Sequence, residues 1–235
     1  MSMDDIHEPA ELDNLFTKMA ETLNAEEDVN GTLQVICDLA VKVMEADHAS
    51  ITTVAGGRFV TAAQTGTSAA QADLLQYQTR QGPCLDAIRE RDTVRSDELA
   101  TEPRWPAFGK AVAEELSIHS MLAHILPMED RTLAAINLFA SRPHAFTEAH
   151  EHLVAIFGAQ AGIALRAVAE HQRAENLERA LHSNRRIAIA IGIVMSTEDL
   201  QEGQAFRRIC EVSQHTNRKL AAVADEIVQD GFLAS

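Results

Sequence analysis

The chain has 235 residues, 46% of them hydrophobic, and its 35 acidic side chains outnumber its 20 basic ones, which gives a formal net charge of -15. This size and composition predict one or two domains with a normal apolar core and exclude a chain that is disordered throughout. Evenly spread negative charge would disfavour nucleic-acid binding, but residues 171–235 hold 8 basic against 9 acidic side chains, whereas residues 1–170 hold 12 against 26. A local basic face in the C-terminal quarter is compatible with this distribution.

The sequence predicts a cytoplasmic protein without a membrane partner. It contains no run of 18 or more consecutive apolar residues, and its N-terminus is acidic, unlike the basic-plus-apolar start of a signal peptide. Cys37, Cys84 and Cys210 are odd in number, far apart and outside any metal-ligand spacing. They favour a reducing compartment and argue against disulfides and a zinc site.

The first third of the chain alternates between helical and extended periodicity. Apolar residues at helical spacing predict helices over residues 1–25 and 31–46. Two runs rich in β-branched residues, 49–55 and 58–63, flank Gly56-Gly57 and predict a β-hairpin.

The middle of the chain predicts short helices, a short strand and a second hairpin. Ser68 is available as a cap for a helix that ends at Thr79, and Pro83 is well placed in the first turn of the next helix. The second hairpin turns at Glu129-Asp130. The remaining predicted elements are a strand over 93–96, a helix that Pro103-Arg-Trp-Pro106 opens and that continues through Leu116, and extended runs over 117–128 and 131–141.

Residues 147–195 predict one long amphipathic helix, with Thr147 as its N-cap. Thirteen positions at alternating steps of three and four form a heptad seam, and ten of them are apolar or Ala. Such a helix would be about 70 Å long, which favours a connection between two domains and pairing with a second copy. Two helices broken near residues 170–172 are the alternative. The seam positions are Leu153, Ile156, Gln160, Ile163, Ala167, Glu170, Ala174, Leu177, Leu181, Asn184, Ala188, Ile191 and Met195.

This element order predicts an α+β fold in which helices at both chain ends cover one face of a largely antiparallel sheet. Three stretches resemble the GAF sensory domain, especially the version found in actinobacterial regulators. They are Gln81-Gly-Pro-Cys-Leu-Asp-Ala-Ile88, Asp97-Glu-Leu-Ala-Thr-Glu-Pro-Arg-Trp-Pro106 and Ala134-Ala-Ile-Asn-Leu-Phe139. The resemblance covers residues 28–167, after an N-terminal helical segment at 1–27. It implies a domain that senses a small molecule, a redox change or a partner.

Residues 168–235 predict an all-α unit of three helices: the end of the long helix, then helices over 201–214 and 218–230, with Gly231 as the stop. The unit is similar to the ANTAR domain of transcription antitermination regulators. The matching residues are Arg185-Arg-Ile187, Ala190-Ile-Gly-Ile-Val-Met195, Ala205-Phe206, Ser213-Gln-His-Thr-Asn-Arg-Lys-Leu220, Val223-Ala224 and Glu226-Ile-Val228. The resemblance implies binding of RNA, typically a pair of stem-loops, so that a terminator does not form.

Each predicted helix of this unit carries one adjacent basic pair, which suits phosphate neutralisation. The resemblance adds Asn217, next to the last pair, to the RNA-binding candidates. Ordinary solvated faces balanced by Glu178, Glu202 and Glu211 are the alternative. The unit has no Tyr or Trp, and Phe206 is expected in the core. The RNA-binding candidates are Arg185, Arg186, Arg207, Arg208, Asn217, Arg218 and Lys219.

In the sensory domain, Cys84, His119 and His124 are candidates for a ligand pocket. Cys84 begins a predicted helix, where a lowered thiol pKa would make it reactive; a small buried residue in the turn is the alternative. No catalytic motif or metal-ligand set is present, so the sequence predicts no enzyme, no metal and no identifiable cofactor. A ligand-binding or protein-binding module without RNA binding is the alternative function.

Overall fold

The structure is a computed structural model of the chain, and it describes residues 28–127 and 133–233. The helix predicted within residues 1–25 and the turn at Glu129-Asp130 lie outside these ranges. The chain divides into two compact units between Glu170 and His171.

The first unit contains a five-stranded antiparallel sheet in the order β2-β1-β5-β4-β3. Gly56 and Gly57 both have positive φ in the turn between the first two strands, as expected for the predicted hairpin. The α+β prediction is confirmed. The strands are β1 His48–Ala55, β2 Arg58–Gln64, β3 Val94–Ser96, β4 Ser120–Pro127 and β5 Leu133–Ala140.

Helices cover both faces of this sheet, and a separate apolar core lies on each. The helices are α1 Val29–Val43, α2 Thr67–Thr79, α3 Pro83–Glu90, α4 Pro106–Leu116 and α5 Glu148–Glu198, with a 3-10 turn at Leu99–Thr101. One core joins α1 and α5 to Leu122 of β4, and the other joins α2, α3 and α4 to its neighbour Met121. Successive strand residues point to opposite faces, so the register of β4 divides its side chains between the two cores.

The starts of three helices show which residues cap them. Asp28 begins α1, and its carboxylate accepts the Gly31 N–H at 2.9 Å. Ser68 does not cap α2, because the helix starts one residue earlier, at Thr67, behind Gly66. Thr147 directly precedes α5, and its N–H donates to Nδ1 of His150 at 3.0 Å. This bond satisfies a donor at the start of the long helix.

The long helix α5 runs unbroken for 51 residues, so the alternative of two helices broken near residues 170–172 is wrong. By length and composition alone it is long and apolar enough to cross a membrane, with an 18-residue window of mean hydropathy 1.5. Within the protein, 44% of that window is buried. Such a single helix is weak support for a membrane span.

The second unit packs the C-terminal part of α5 with α6 Glu202–His215 and α7 Leu220–Asp230. Gln201 and Gln204 form a reciprocal capping box at the start of α6, and Gly231 ends α7 at φ 78°, as predicted. The last helix starts two residues later than predicted because Asn217 has φ 51° and Lys219 is extended. The core of this unit consists of Ala190, Val194, Ala205, Ile209, Val223, Ala224 and Ile227.

Candidate functional site

Arg186 belongs to the framework of the second unit. Its Nε lies 2.6 Å from Oδ1 of Asp225, and its Nη2 donates to the Asp225 carbonyl at 3.0 Å. The Arg186 side chain is only 24% exposed. The pair therefore ties α5 to α7, and little of the cation is left for an external partner.

Two more of the predicted RNA-binding arginines also have carboxylate partners. Arg218 lies 2.6 Å from Glu226. Arg208 is held more loosely, at 3.7 Å from Glu198 and 3.9 Å from Glu211. Both guanidinium groups are exposed enough to exchange a carboxylate for a phosphate, but part of their charge is already neutralised within the unit.

Arg185, Arg207 and Lys219 differ from these three. All three are exposed, and within residues 28–127 and 133–233 none of them has a carboxylate at ion-pair distance. Of these three predicted candidates, Arg185 lies on α5, Arg207 on α6, and Lys219 at the residue directly before α7. Uncompensated exposed cations are the groups that a polyanion neutralises most readily.

The turn between α6 and α7 is held by its own backbone and side chains. The Arg218 N–H donates to the Ser213 carbonyl at 3.0 Å, and the Ser213 hydroxyl donates to the Arg218 carbonyl at 2.6 Å. Asn217 takes the left-handed conformation that lets the chain reverse here, which Asn tolerates better than most residues. Asn217 and Arg218 thus shape the turn, and Lys219 is the N-cap residue that precedes α7.

Phe206 does not lie in the core as expected. Its side chain belongs to the exposed apolar residues, at 41% relative exposure, while its neighbour Ala205 is fully buried. The core-facing side of α6 is defined by Ala205 and Ile209. Phe206 lies about 100° around the helix from Ala205, so its ring points away from the core-facing side of α6.

Cys84 is fully buried beneath α2, in the core that contains α3. Its backbone N–H donates to Oε1 of Gln76 at 2.9 Å. Burial raises the pKa of the Cys84 thiol to about 12, and the nearby Asp73 adds to that shift. The expectation that the start of a helix would lower this pKa is wrong, because loss of hydration outweighs the helix dipole here. The burial of Cys84 fits the alternative interpretation, a small buried residue in the turn.

The two histidines do not join Cys84 in one pocket. His124 lies on the opposite face of the sheet, where its ring packs against Gly158 of α5. A Cβ on Gly158 would lie only 2.9 Å from Cδ2 of that ring. Its Nδ1 pairs with the Thr93 hydroxyl at 2.7 Å, and burial lowers the pKa of its imidazole. His119 is half-buried, 3.4 Å from Glu98. Strand register therefore separates His124 from Cys84, and a single pocket lined by both does not form.

Sequence reasoning missed a polar cluster buried between α2 and the sheet, here called the Asp73 cluster. Nδ2 of Asn137 donates to Asp73 at 3.0 Å, and the hydroxyl of Thr61 donates to its other oxygen at 2.8 Å. Tyr77 shares its hydroxyl with Thr61 and Thr52. Burial raises the pKa of Asp73 to about 7 against the lowering effect of its hydrogen bonds. The members are Ser50, Thr52, Thr61, Asp73, Tyr77 and Asn137.

A signal for this cluster exists in the sequence. Asp73 and Gln76 occur at helical spacing with Ala69 and Ala72 on the inward side of α2, and Asn137 interrupts an apolar strand. Polar residues at inward positions indicate either a polar network or a site. Gln76 Nε2 and Asn137 Oδ1 are buried without a hydrogen-bond partner among the described residues.

Comparison with known families decides what the two units are. The family model described as "GAF domain" matches residues 26–166, more than half of the chain. The chain belongs to the GAF domain family. A second model, described as "ANTAR domain", matches residues 175–228. The protein is thus a GAF domain followed by an ANTAR domain, which are both regulatory domains.

Solved structures share the GAF fold at low sequence identity. The GAF domain of an Acinetobacter phosphoenolpyruvate-protein phosphotransferase is 16% identical, with a TM-score of 0.54, over 69% of this chain and 96% of that one. A free methionine-R-sulfoxide reductase from Neisseria meningitidis is 12% identical, with a TM-score of 0.53, over 66% and 89%. The chromophore-binding domain of a bacteriophytochrome from R. palustris is 8% identical, with a TM-score of 0.52, over 69% and 64%. No curated protein matches the chain.

In the GAF domain, hydrogen bonds join two of the stretches that resemble the family, Gln81–Ile88 and Asp97–Pro106 with the residue that follows it. Oε1 of Gln81 accepts the N–H of Ala107 at 2.9 Å, and Asp86 accepts the indole N–H of Trp105 at 3.0 Å. Gly82 has φ 139°, and a Cβ there would collide with Oε1 of Gln76. The Gln-Gly-Pro-Cys turn and the Pro-Arg-Trp-Pro step therefore build the framework of the domain.

A surface cleft of about 620 Å³ lies beside these motifs in the GAF domain. Six carboxylates and two arginines line it, and Arg95 bridges Asp97 at 3.2 Å and Glu151 at 3.1 Å. Cys84, His119 and His124 are not among its lining residues. The excess of negative charge disfavours an anionic ligand here.

Proposed function

We propose that this protein is a signal-responsive, RNA-binding regulator of transcription antitermination. The observation that carries the proposal is the succession of a GAF domain and an ANTAR domain that share the unbroken helix α5. ANTAR domains imply RNA binding, and GAF domains are sensory. In this account the GAF domain detects a small molecule, a redox change or a partner, and the ANTAR domain binds a pair of RNA stem-loops.

The charges of the ANTAR domain support an RNA partner. Arg185, Arg207 and Lys219 are exposed and free of ion pairs within the described residues, in a chain whose formal net charge is -15. Against that background, three uncompensated cations in the least acidic quarter of the chain favour a polyanionic ligand. Arg208 and Arg218 add exposed guanidinium groups whose carboxylate partners a phosphate can displace.

The exposed side of α5 supports a homodimer. In the first unit, Ile156 and Ile163 are 51% and 53% exposed, and in the second unit Leu177 and Leu181 are 61% and 60% exposed. All four occupy seam positions of the heptad pattern, where a second helix would bury them. Polar residues at the seam, such as Asn184, specify the register of a coiled coil at a cost in stability.

A weak seam suits a switch. A signal in the GAF domain that changes the pairing or rotation of α5 would change the spacing of two RNA-binding faces. Binding to two stem-loops at once raises the apparent affinity only when that spacing fits. We expect such a regulator to act in the cytoplasm, with no membrane or DNA partner.

A gel-shift titration against tandem stem-loop RNA over a salt series tests the proposal. The variant combines Arg185→Ala, Arg207→Ala and Lys219→Ala. The matched control combines Lys42→Ala, Arg58→Ala and Lys110→Ala, which remove three exposed cations from the GAF domain. The variant should bind at least about ten-fold more weakly, with a salt slope reduced by roughly 0.7–0.9 for each lost phosphate contact. The control should bind like the wild type.

The alternative function predicts a different outcome. A GAF module that binds a ligand or protein, with a C-terminal domain used for dimerisation, gives no shift with any tandem hairpin at low salt. Equal binding by the variant and by the control would also count against the assigned RNA face.

A further inference from the structure

Gly203, Phe206 and Arg207 form a notch on the surface of α6, here called the Gly203 notch. Residues three and four positions apart are neighbours on a helix surface, so Phe206 and Arg207 both border the gap that Gly203 leaves. A Cβ built on Gly203 would lie 3.9 Å from Nη1 of Arg207, and apart from its chain neighbours Glu202 and Gln204 and the backbone of its own helix, no other heavy atom of the described chain would lie within 4 Å. The Arg207 side chain therefore reaches over Gly203 to van der Waals distance, and a Cβ there would meet no closer side chain from elsewhere in the described chain.

The two walls of the notch have different chemistry. Phe206 presents a ring that is 41% exposed, and Arg207 presents a cation without an ion pair among the described residues. Glu202 lies one turn before Phe206 at the edge of the notch, in the first turn of α6, where the helix dipole favours a carboxylate. An exposed apolar side chain by itself needs no partner; here the ring is combined with a free cation and a missing side chain.

We propose that the Gly203 notch binds an unpaired base of an RNA loop, with the base stacked on Phe206 and its backbone or edge contacted by Arg207. This inference rests on the proposed RNA-binding function and names the part of the RNA that this helix reads. RNA-binding proteins recognise unpaired bases by stacking them on aromatic rings and guanidinium planes. Hairpin loops supply such bases, whereas the stems keep theirs stacked and paired.

A second copy of the chain fits this surface less well. The notch exposes one ring, and its immediate neighbours are a glycine and an arginine. A stable interface buries about 800 Å² on each partner, which one partly exposed ring does not approach. The free charge of Arg207 is complementary to a nucleotide.

The direct test places 2-aminopurine, a base whose fluorescence falls on stacking, at each loop position of a tandem stem-loop RNA in turn. With the full-length wild type, one loop position should lose fluorescence on binding. Phe206→Leu, which keeps apolar bulk but removes the ring, should abolish that loss and weaken binding about ten-fold. Its salt slope should stay unchanged, because no phosphate contact is removed. Phe232→Leu removes a ring that is 55% exposed elsewhere in the domain, and should leave both readouts unchanged.

A second variant separates binding from folding. Glycine has a low helix propensity and leucine a high one, so Gly203→Leu should stabilise α6 and raise the melting temperature of the protein. The same side chain fills the notch, so it should weaken loop binding. A variant that merely damages the fold would lower both the melting temperature and the affinity for the RNA loop.

The results that overturn this inference differ from those that overturn the proposed function. If Phe206→Leu binds with wild-type affinity and the fluorescence loss persists, the base does not stack on this ring. If Phe206→Leu lowers self-association in sedimentation and leaves the fluorescence loss intact, the occupant is a second copy. If the wild type shifts no hairpin at low salt, the proposed function itself fails.

Discussion

Nδ2 of Asn137 donates a hydrogen bond to Oδ1 of Asp73 over 3.0 Å, and neither side chain has any exposed surface. The bond joins α2 to β5, the central strand of the sheet. Within the described residues no basic side chain forms an ion pair with Asp73, so its carboxyl is held by neutral donors alone. A buried carboxyl in such surroundings keeps its proton to unusually high pH.

This arrangement predicts that the GAF domain becomes less stable as the pH rises. The pKa of Asp73 is about 7 in the folded protein, above its ordinary 3.8, so the folded state holds the proton more tightly. The contribution to stability is fully present below about pH 4 and is lost as the pH rises through about 7. Urea denaturation between pH 4.5 and 8 should show a slope of up to about 1.4 kcal/mol per pH unit from this group.

Asp73→Asn is the matched control for that slope. The variant keeps the shape of the side chain and removes its titration, while other carboxylates contribute equally to both proteins. Burial holds the pKa values of Tyr77 and Cys84 above their ordinary ranges, so both neighbours stay neutral throughout. Parallel pH profiles for the wild type and the variant would contradict the assignment.

Two adjacent arginines should behave differently when each is replaced by alanine. Arg186→Ala breaks a partly buried pair with Asp225, so we expect the free energy of unfolding to fall by about 1–2 kcal/mol, which allows for solvent screening of the half-exposed carboxylate. Arg185→Ala removes an exposed side chain that has no ion pair, so the free energy of unfolding should change by less than about 0.5 kcal/mol. Denaturant titrations of both variants check this, and equal losses would contradict it.

The buried thiols predict a defined order of alkylation. In native protein at pH 7.5, iodoacetamide should modify the partly exposed Cys210 first and leave Cys84 and Cys37 unmodified, because burial raises the pKa of both. Peptide mass spectrometry after timed quenching measures the order. Cys84 and Cys37 also lie in cores on opposite faces of the sheet, so the appearance of a disulfide between them would contradict the fold.

The seam of α5 predicts a monomeric variant. Leu177→Glu combined with Leu181→Glu places two charges where a partner helix would pack, and should convert the dimer to a monomer in sedimentation velocity. The matched control is Leu74→Glu, a position on α2 that is 51% exposed and outside the seam. The monomer should still bind a single stem-loop while losing most of the added affinity for a tandem pair.

A wild type that is already monomeric at micromolar concentration, with and without RNA, would refute the dimer. Dissociation by the control variant as well would show that any new surface charge has this effect.

Much of the fold follows from local patterns in the sequence. The change from helical to alternating periodicity places the first hairpin at Gly56-Gly57, and Gly231 marks the end of the last helix because only a residue tolerant of positive φ suits that position. The long helix can be predicted because the heptad spacing resumes at Ala174 and Leu177 after the polar Glu170, and residues 170–172 contain neither Pro nor Gly. Each of these features depends on residues close together in the chain.

The candidate sites depend on pairings that local patterns do not contain. Arg186 meets Asp225 across 39 residues, and Asn137 meets Asp73 across 64. One step of strand register decides whether His124 faces the same core as Cys84 or the other one. The exposure of Phe206 likewise depends on how α6 packs in the finished domain. The sequence identifies these residue types, and tertiary structure decides their roles.

Transcription in vitro through a terminator preceded by tandem stem-loops tests whether this protein acts as an antiterminator. We expect read-through to rise with the concentration of the wild type and with the control lacking Lys42, Arg58 and Lys110. The variant lacking Arg185, Arg207 and Lys219 should leave termination unchanged. Termination that is equally efficient with and without saturating wild-type protein would contradict the account.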